Sequence, residues 1–149
     1  MSRIIVAVAI AASALLTSSA FAQTLSLAVR APVTSIDPHF HNVSPNQSMA
    51  SHIFDALTDM DASARVVPGL AESWRKVDGQ TWEFKLRQGV RFHNGVEFTA
   101  DDVAFTLERV PKVHNSPSSY GIYTKAVKGV EVVDKHTVRL RTDGVYPLL

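Results

Sequence analysis

The segment GVRFHNGVEFTADDV, residues 89–103, gathers His93, Glu97, Asp101 and Asp102 within a short span. An imidazole beside carboxylates is the donor set of a divalent-metal site or of an acid/base pair, so this is the first place to look for chemistry. The same residues also fit a turn followed by a capped helix. Thr99 stands where a helix N-cap is expected, and Asp101 and Asp102 fall in the first turn, where exposed N–H groups favour negative charge. Val103, Leu107 and Val110 follow at helical spacing, and Pro111 ends the helix. The cap accounts for both aspartates, and a metal would need further ligands from distant segments. His93-Asn94-Gly95 supplies residues that tolerate a positive φ, after a short strand in which Val90 and Phe92 share a face. His93 is expected to donate to a backbone carbonyl in that turn.

A second group is His39-x-His41, with His52 further on. Three imidazoles can collect a transition metal, but His39 and His41 lie in VTSIDPHFHNVSPNQ, a polar stretch with two prolines, where solvated histidines are the default. No metal site and no cofactor are therefore assigned. Neither H-E-x-x-H nor G-x-S-x-G occurs, which removes the motifs an exported metallo- or serine hydrolase would use. The sequence does not predict an enzyme.

The elements that would position these residues can be read from periodicity. Residues 24–29 alternate, with Leu25, Leu27 and Val29 on one face, which predicts a strand. The polar segment after it leaves the strand's carboxyl end, a common place for a ligand in an open α/β sheet. A helix is expected from Ser44, with Ser44 as cap, Pro45 in the first position and Gln47 completing a capping box; Met49, Ile53, Phe54 and Leu57 then share one side. Asp78-Gly79 predicts a tight turn between residues 73–77 and 81–87. In the second of these strands Trp82, Phe84 and Leu86 face one way, and Glu83, Lys85 and Arg87 form a wet face. A second hairpin is expected from residues 130–133 and 137–140, with His136 in its turn. Between the hairpins, residues 115–121 read as a polar loop, with Tyr120 and Tyr123 as surface anchors or pocket walls.

With 46% hydrophobic and 19% charged residues, the 149-residue chain has the composition of a globular protein rather than a disordered one. Residues 1–22 are set apart as an export signal: Arg3, an apolar run over residues 4–16 too short to span a bilayer, and Ala20-Phe21-Ala22, with cleavage expected after Ala22. No cysteine is present, so neither a disulfide nor a lipidated cysteine is available, and packing alone must stabilise the exported protein. With Arg3 set aside, 14 Lys and Arg balance 14 Asp and Glu, and no basic run is long enough to track a phosphate backbone. Nucleic acid is excluded as an expected partner.

The elements in this order resemble the amino-terminal part of the bacterial extracellular solute-binding proteins of family 5, the oligopeptide-, dipeptide- and nickel-binding receptors of ABC transporters. The resemblance is carried by SIDPHF, by HIFDALTDMDASARVVPGLAESW, by DGQTWEFKLRQGVRFHNGVEFTADDVAFTLERV and, more weakly, by GVEVVDKHTVRLR and YPLL. It implies a mixed α/β (α+β) fold, the truncated amino-terminal part of a two-lobed periplasmic-binding-protein architecture. Residues 23–43 would be the first strand and loop of lobe I, residues 44–149 an incomplete extra subdomain of that lobe, and the second lobe would be absent. The implied function is a periplasmic receptor that captures peptides or similar small solutes and delivers them to a membrane permease. The alternatives are a nickel-type receptor, a fragment that does not function alone and, less favoured, an exported hydrolase. By the same resemblance Val33, Thr34 and Ser35 are the expected ligand contacts, through their backbone, with His39 and Tyr120 as pocket-lining groups.

Overall fold

The computed structural model describes Ser26, Ala28 and residues 31–146. The export signal expected over residues 1–22, the strand expected over residues 24–29 and the last three residues lie outside the described residues, apart from Ser26 and Ala28.

A four-stranded antiparallel sheet forms the body, built from β3 (Ala71–Lys76), β4 (Thr81–Leu86), β5 (Val127–Asp134) and β6 (Thr137–Thr142) in the order β3-β4-β6-β5. A small hairpin, β1 (Thr58–Met60) with β2 (Val66–Pro68), precedes it. Both expected hairpins form. In the first, Val77 N–H donates to Thr81 O and the Asp78 carboxylate accepts from Gln80 N–H at 2.7 Å, so Asp78 closes the turn with its own side chain. In the second, the Asp134 carboxylate accepts from His136 N–H at 2.8 Å and places His136 in the turn.

The alternation in β4 sends Phe84 and Leu86 into the core, where they join Ala71, Phe98, Ala100, Val103, Val138 and Leu140, with Trp74 and Trp82 packed at the margin. Helix α2 (Ala100–Arg109) covers this face by lying against β5 and β6. Leu86 is 1% exposed, so its truncation to alanine would remove about 3 kcal/mol of burial and packing. The opposite face of β4 departs from the wet row expected. Glu83 is covered, with 4% of its side chain exposed, while Lys85 and Arg87 are open to solvent. Its cover is not a layer of protein but two guanidinium groups: Arg75 donates to Oε1 at 2.7 Å and Arg139 to Oε2 at 2.9 Å. Strand register puts Arg75, Glu83, Arg139 and Glu131 directly opposite one another, a cross-strand row of alternating charge.

Helix α1 (Ser44–Ala50) departs from expectation at both ends. Its N-cap is Val43 rather than Ser44, and Gln47 donates to the Asn42 side chain at 2.6 Å instead of closing a capping box. The helix stops at Ala50, so Ile53 and Phe54 lie in the turn beyond it and remain exposed. With seven residues the helix is too short to carry a full apolar stripe, and its one buried residue is polar, Asn46. The β1–β2 hairpin was missed by periodicity because each strand has only three residues; its turn is held by Asp61, which accepts from Ser63 N–H at 2.8 Å and Arg65 Nε at 2.8 Å. A four-residue helix, α3 (Gly121–Thr124), follows the expected polar loop.

Candidate functional site

The acids of the opening segment have structural partners. Asp102 accepts from the Thr99 backbone N–H at 2.8 Å and from its hydroxyl at 3.2 Å, closing the first turn of α2, and Asp101 is exposed beside it. Glu97 pairs with Lys135 at 2.9 Å, which holds its carboxyl below the ordinary range. Glu97 also lies 3.6 Å from His136 Nε2, so the acid ties the β5–β6 turn to the approach of α2. Phe92 and Val96 pair across the turn at Gly95, whose φ is +85°, with one bridge, Arg91 to Glu97, in place of the short strand expected. His93 is exposed in that turn and its side chain makes no hydrogen bond among the described residues, contrary to the carbonyl contact expected of it. No group of three or more His, Asp or Glu side chains able to hold a metal occurs among the described residues.

The polar loop over residues 31–42 is a different case, because groups from three distant segments converge on it. Asn46, 4% exposed, accepts from Thr34 N–H at 3.3 Å and donates to Ser35 O at 3.1 Å and to Thr34 Oγ1 at 3.2 Å. Thr34 Oγ1 lies 2.8 Å from His41 Nδ1. Ser35 Oγ accepts from Asp37 N–H at 3.0 Å, and an Asp37 carboxylate oxygen accepts from His39 N–H at 3.0 Å, so the backbone folds back on itself after residue 35. From the end of α2, Arg109 grips Asp37 with both terminal nitrogens, at 3.0 and 2.5 Å, and also donates to His39 Nδ1 at 2.8 Å. From the third side, Ser116 donates to Phe40 O and Asn42 N–H donates to Ser118 O at 2.9 Å.

Charge in this cluster is fixed by contact. The Arg109 hydrogen bond holds the Asp37 carboxyl below the usual carboxylate range, against an opposing effect of burial. Burial lowers the His39 pKa, and the Arg109 charge lowers it further. His39 is therefore a neutral imidazole whose Nδ1 lone pair faces a guanidinium, which makes it part of the brace.

The five residues named from sequence are thus partly brought together. Val33, Thr34 and Ser35 lie in one irregular, partly exposed segment, and His39 is joined to it through Asp37. Tyr120 is held apart: its ring lies 6.2 Å from that of Tyr123, and no hydrogen bond connects it to residues 33–35 among the described residues. In residues 33–35, Thr34 N–H and Ser35 C=O are taken by Asn46, whereas Thr34 C=O and Ser35 N–H take no partner among the described residues. Asn46 and Arg109 escaped sequence reading, because an Asn in a helix and an Arg near a helix end read as solvated residues until the loop closes over them.

Residues 65–149 match the family model described as bacterial extracellular solute-binding proteins, family 5 middle. The protein is 33% identical over 131 residues to the glutathione-binding protein GsiB of Escherichia coli, an alignment that takes in 87% of this chain and 25% of that protein. It is also 33% identical over 145 residues to the di/tripeptide-binding protein 1 of Pseudomonas aeruginosa, with 85% and 27% aligned. Among solved structures, OppA of Burkholderia pseudomallei superposes with a TM-score of 0.72 at 30% identity, over 80% of this chain and 26% of that one. The chain spans about a quarter of the length of these relatives.

Proposed function

Because the chain belongs to the bacterial extracellular solute-binding proteins of family 5, we propose that it serves in the periplasm as part of the receptor of an ABC transporter, capturing peptides or similar small solutes for a membrane permease. Residues 1–22 would direct export, residues 23–43 would contribute the first strand and ligand loop of lobe I, and residues 44–149 its partial extra subdomain. No bond-making chemistry is assigned to it, and no cofactor.

One observation carries the peptide reading. An irregular segment at the surface leaves a backbone carbonyl and a backbone N–H, those of Thr34 and Ser35, without a partner among the described residues while the groups on either side are tied down. Such a pair suits a ligand that itself has a peptide backbone, since backbone hydrogen bonds give affinity without demanding a particular side group. Two of the relatives, a glutathione-binding and a di/tripeptide-binding protein, point by their names to ligands of this kind.

The alternatives draw less support. For a nickel-type receptor, His39 and His41 direct their Nδ1 atoms to different partners, Arg109 and Thr34, and His52 is exposed elsewhere. For a hydrolase, no described nucleophile stands beside a base and an orienting acid. Titration calorimetry of the full-length protein with glutathione and with trialanine tests the proposal: micromolar binding of either supports it, and heat from nickel but from neither peptide would replace it with the metal reading.

A further inference from the structure

Asn46 is the one buried residue of α1, and it is buried under the loop that the proposed function assigns to ligand. Its amide can be oriented only one way, because Thr34 N–H can only donate and Ser35 C=O can only accept. Oδ1 therefore faces Thr34 N–H, and Nδ2 serves Ser35 O and Thr34 Oγ1. The Thr34 hydroxyl lies 3.3 Å from Asn46 Oδ1 and 2.8 Å from His41 Nδ1, so the threonine side chain is held between the two.

These contacts bracket one peptide unit. Asn46 holds the N–H before it and the C=O after it, and the unit between, Thr34 C=O with Ser35 N–H, is the part left without a partner among the described residues. An aspartate here could still accept from Thr34 N–H but would set a carboxylate against the Ser35 carbonyl, and a leucine would satisfy neither. The requirement is for an amide.

We infer that Asn46 is a positioning residue of the ligand site, which holds the Thr34–Ser35 peptide unit in the geometry that receives the backbone of a bound peptide. This inference rests on the reading of residues 33–35 as the ligand loop. Asn46 need not touch the ligand; it acts by keeping the loop from sampling geometries in which the peptide unit is turned away. Arg109 braces the same loop from its far side through Asp37, whose N–H reaches the Ser35 hydroxyl but not its backbone, so the backbone groups that flank the unit are held by Asn46.

The test uses the full-length protein as wild type, Asn46→Leu, Asn46→Asp and, as a control of general stability, Leu86→Val in the distant core. Binding of glutathione and trialanine is measured by calorimetry at a temperature where circular dichroism shows all four fully folded, and exchange of the Thr34 and Ser35 amides is followed with and without ligand. The expected result is that ligand slows Ser35 exchange in the wild type, and that Asn46→Leu and Asn46→Asp weaken binding about 10-fold or more. Both should also speed exchange of the Thr34 amide, which Asn46 holds, in the free protein, while Leu86→Val binds as the wild type does. If the wild type binds neither probe, or binds without protecting Ser35, the ligand-loop reading fails and this inference with it. If the wild type shows protection yet Asn46→Leu binds within about twofold of it, or Leu86→Val weakens binding equally, the ligand loop stands and the positioning role is overturned.

Discussion

Arg109 and Asp37 show how one pair can join a loop to a distant helix. The fork is bidentate and charge-assisted, but its partners are 37% and 31% exposed, so solvent screens part of the attraction. Arg109→Leu is expected to cost about 1 kcal/mol in urea unfolding and to loosen residues 37–39 selectively in amide exchange. The same cluster predicts a pH dependence. The folded pKa of His39 lies below its ordinary 6.5, and that of Asp37 below 3.8, so in each interval the unfolded state binds more protons than the folded one. Stability must then fall as pH falls. The His39 contribution is complete above about pH 6.5 and is lost as pH drops through its lowered folded value; that of Asp37 follows the same course at more acid pH. His39→Gln keeps an acceptor for Arg109 without the titration, so its Tm should vary less than that of the wild type between about pH 7 and 5. An equal slope for the two proteins would assign the acid sensitivity to another group.

Among the elements, glycines at two turns separate steric fit from backbone strain. A Cβ added at Gly69 would meet the Ala56 carbonyl oxygen at 2.5 Å, where the segments before β1 and after β2 pair closely. Gly69→Ala is expected to cost roughly 2–3 kcal/mol, measured by thermal or urea unfolding, because two backbones must part. Gly95→Ala has nothing within 4 Å to strike and bears only the penalty of φ +85°, about 1 kcal/mol. The charged row on the sheet makes a third case. Glu83→Gln leaves Arg75 and Arg139 facing each other with one acceptor oxygen between them, so Tm should fall, and the loss should shrink as added salt screens the two guanidinium groups. The hairpins around this row were legible in advance, since Asp78-Gly79 and strict alternation are local signals. The burial of Glu83 was not, because it needs Arg139 from a strand far along the sequence.

At the scale of the whole molecule, the sheet and α2 make a packed body, while several large apolar groups stay in contact with water. Met49, Ile53 and Phe54 are exposed around the end of α1, Phe105 on α2, and Ile122 and Tyr123 on α3. Scattered apolar residues are ordinary at a surface, but groups drawn from neighbouring turns are what an interface presents. The relatives are about four times as long as this protein, so they have further structure with which to cover such a face. The 149-residue protein alone is expected to bind a hydrophobic dye while keeping its sheet signal in circular dichroism, and Phe54→Ser with Ile53→Ser should reduce that binding without lowering Tm.

The sequence alone determined what depends on neighbours along the backbone. It yielded the two hairpins, the capped start of α2, the turn at Gly95, the absence of disulfide chemistry, and enough of the family's pattern to place Val33, Thr34 and Ser35 in one candidate loop. Only the tertiary structure decided what that loop rests on. Asn46 and Arg109 carry no local signal of their roles, because a hydrogen-bonding group looks the same in sequence whether it meets water or a partner 11 or 72 residues away. Periodicity reports which face of an element is apolar; it cannot report which polar group another segment will bring to meet it.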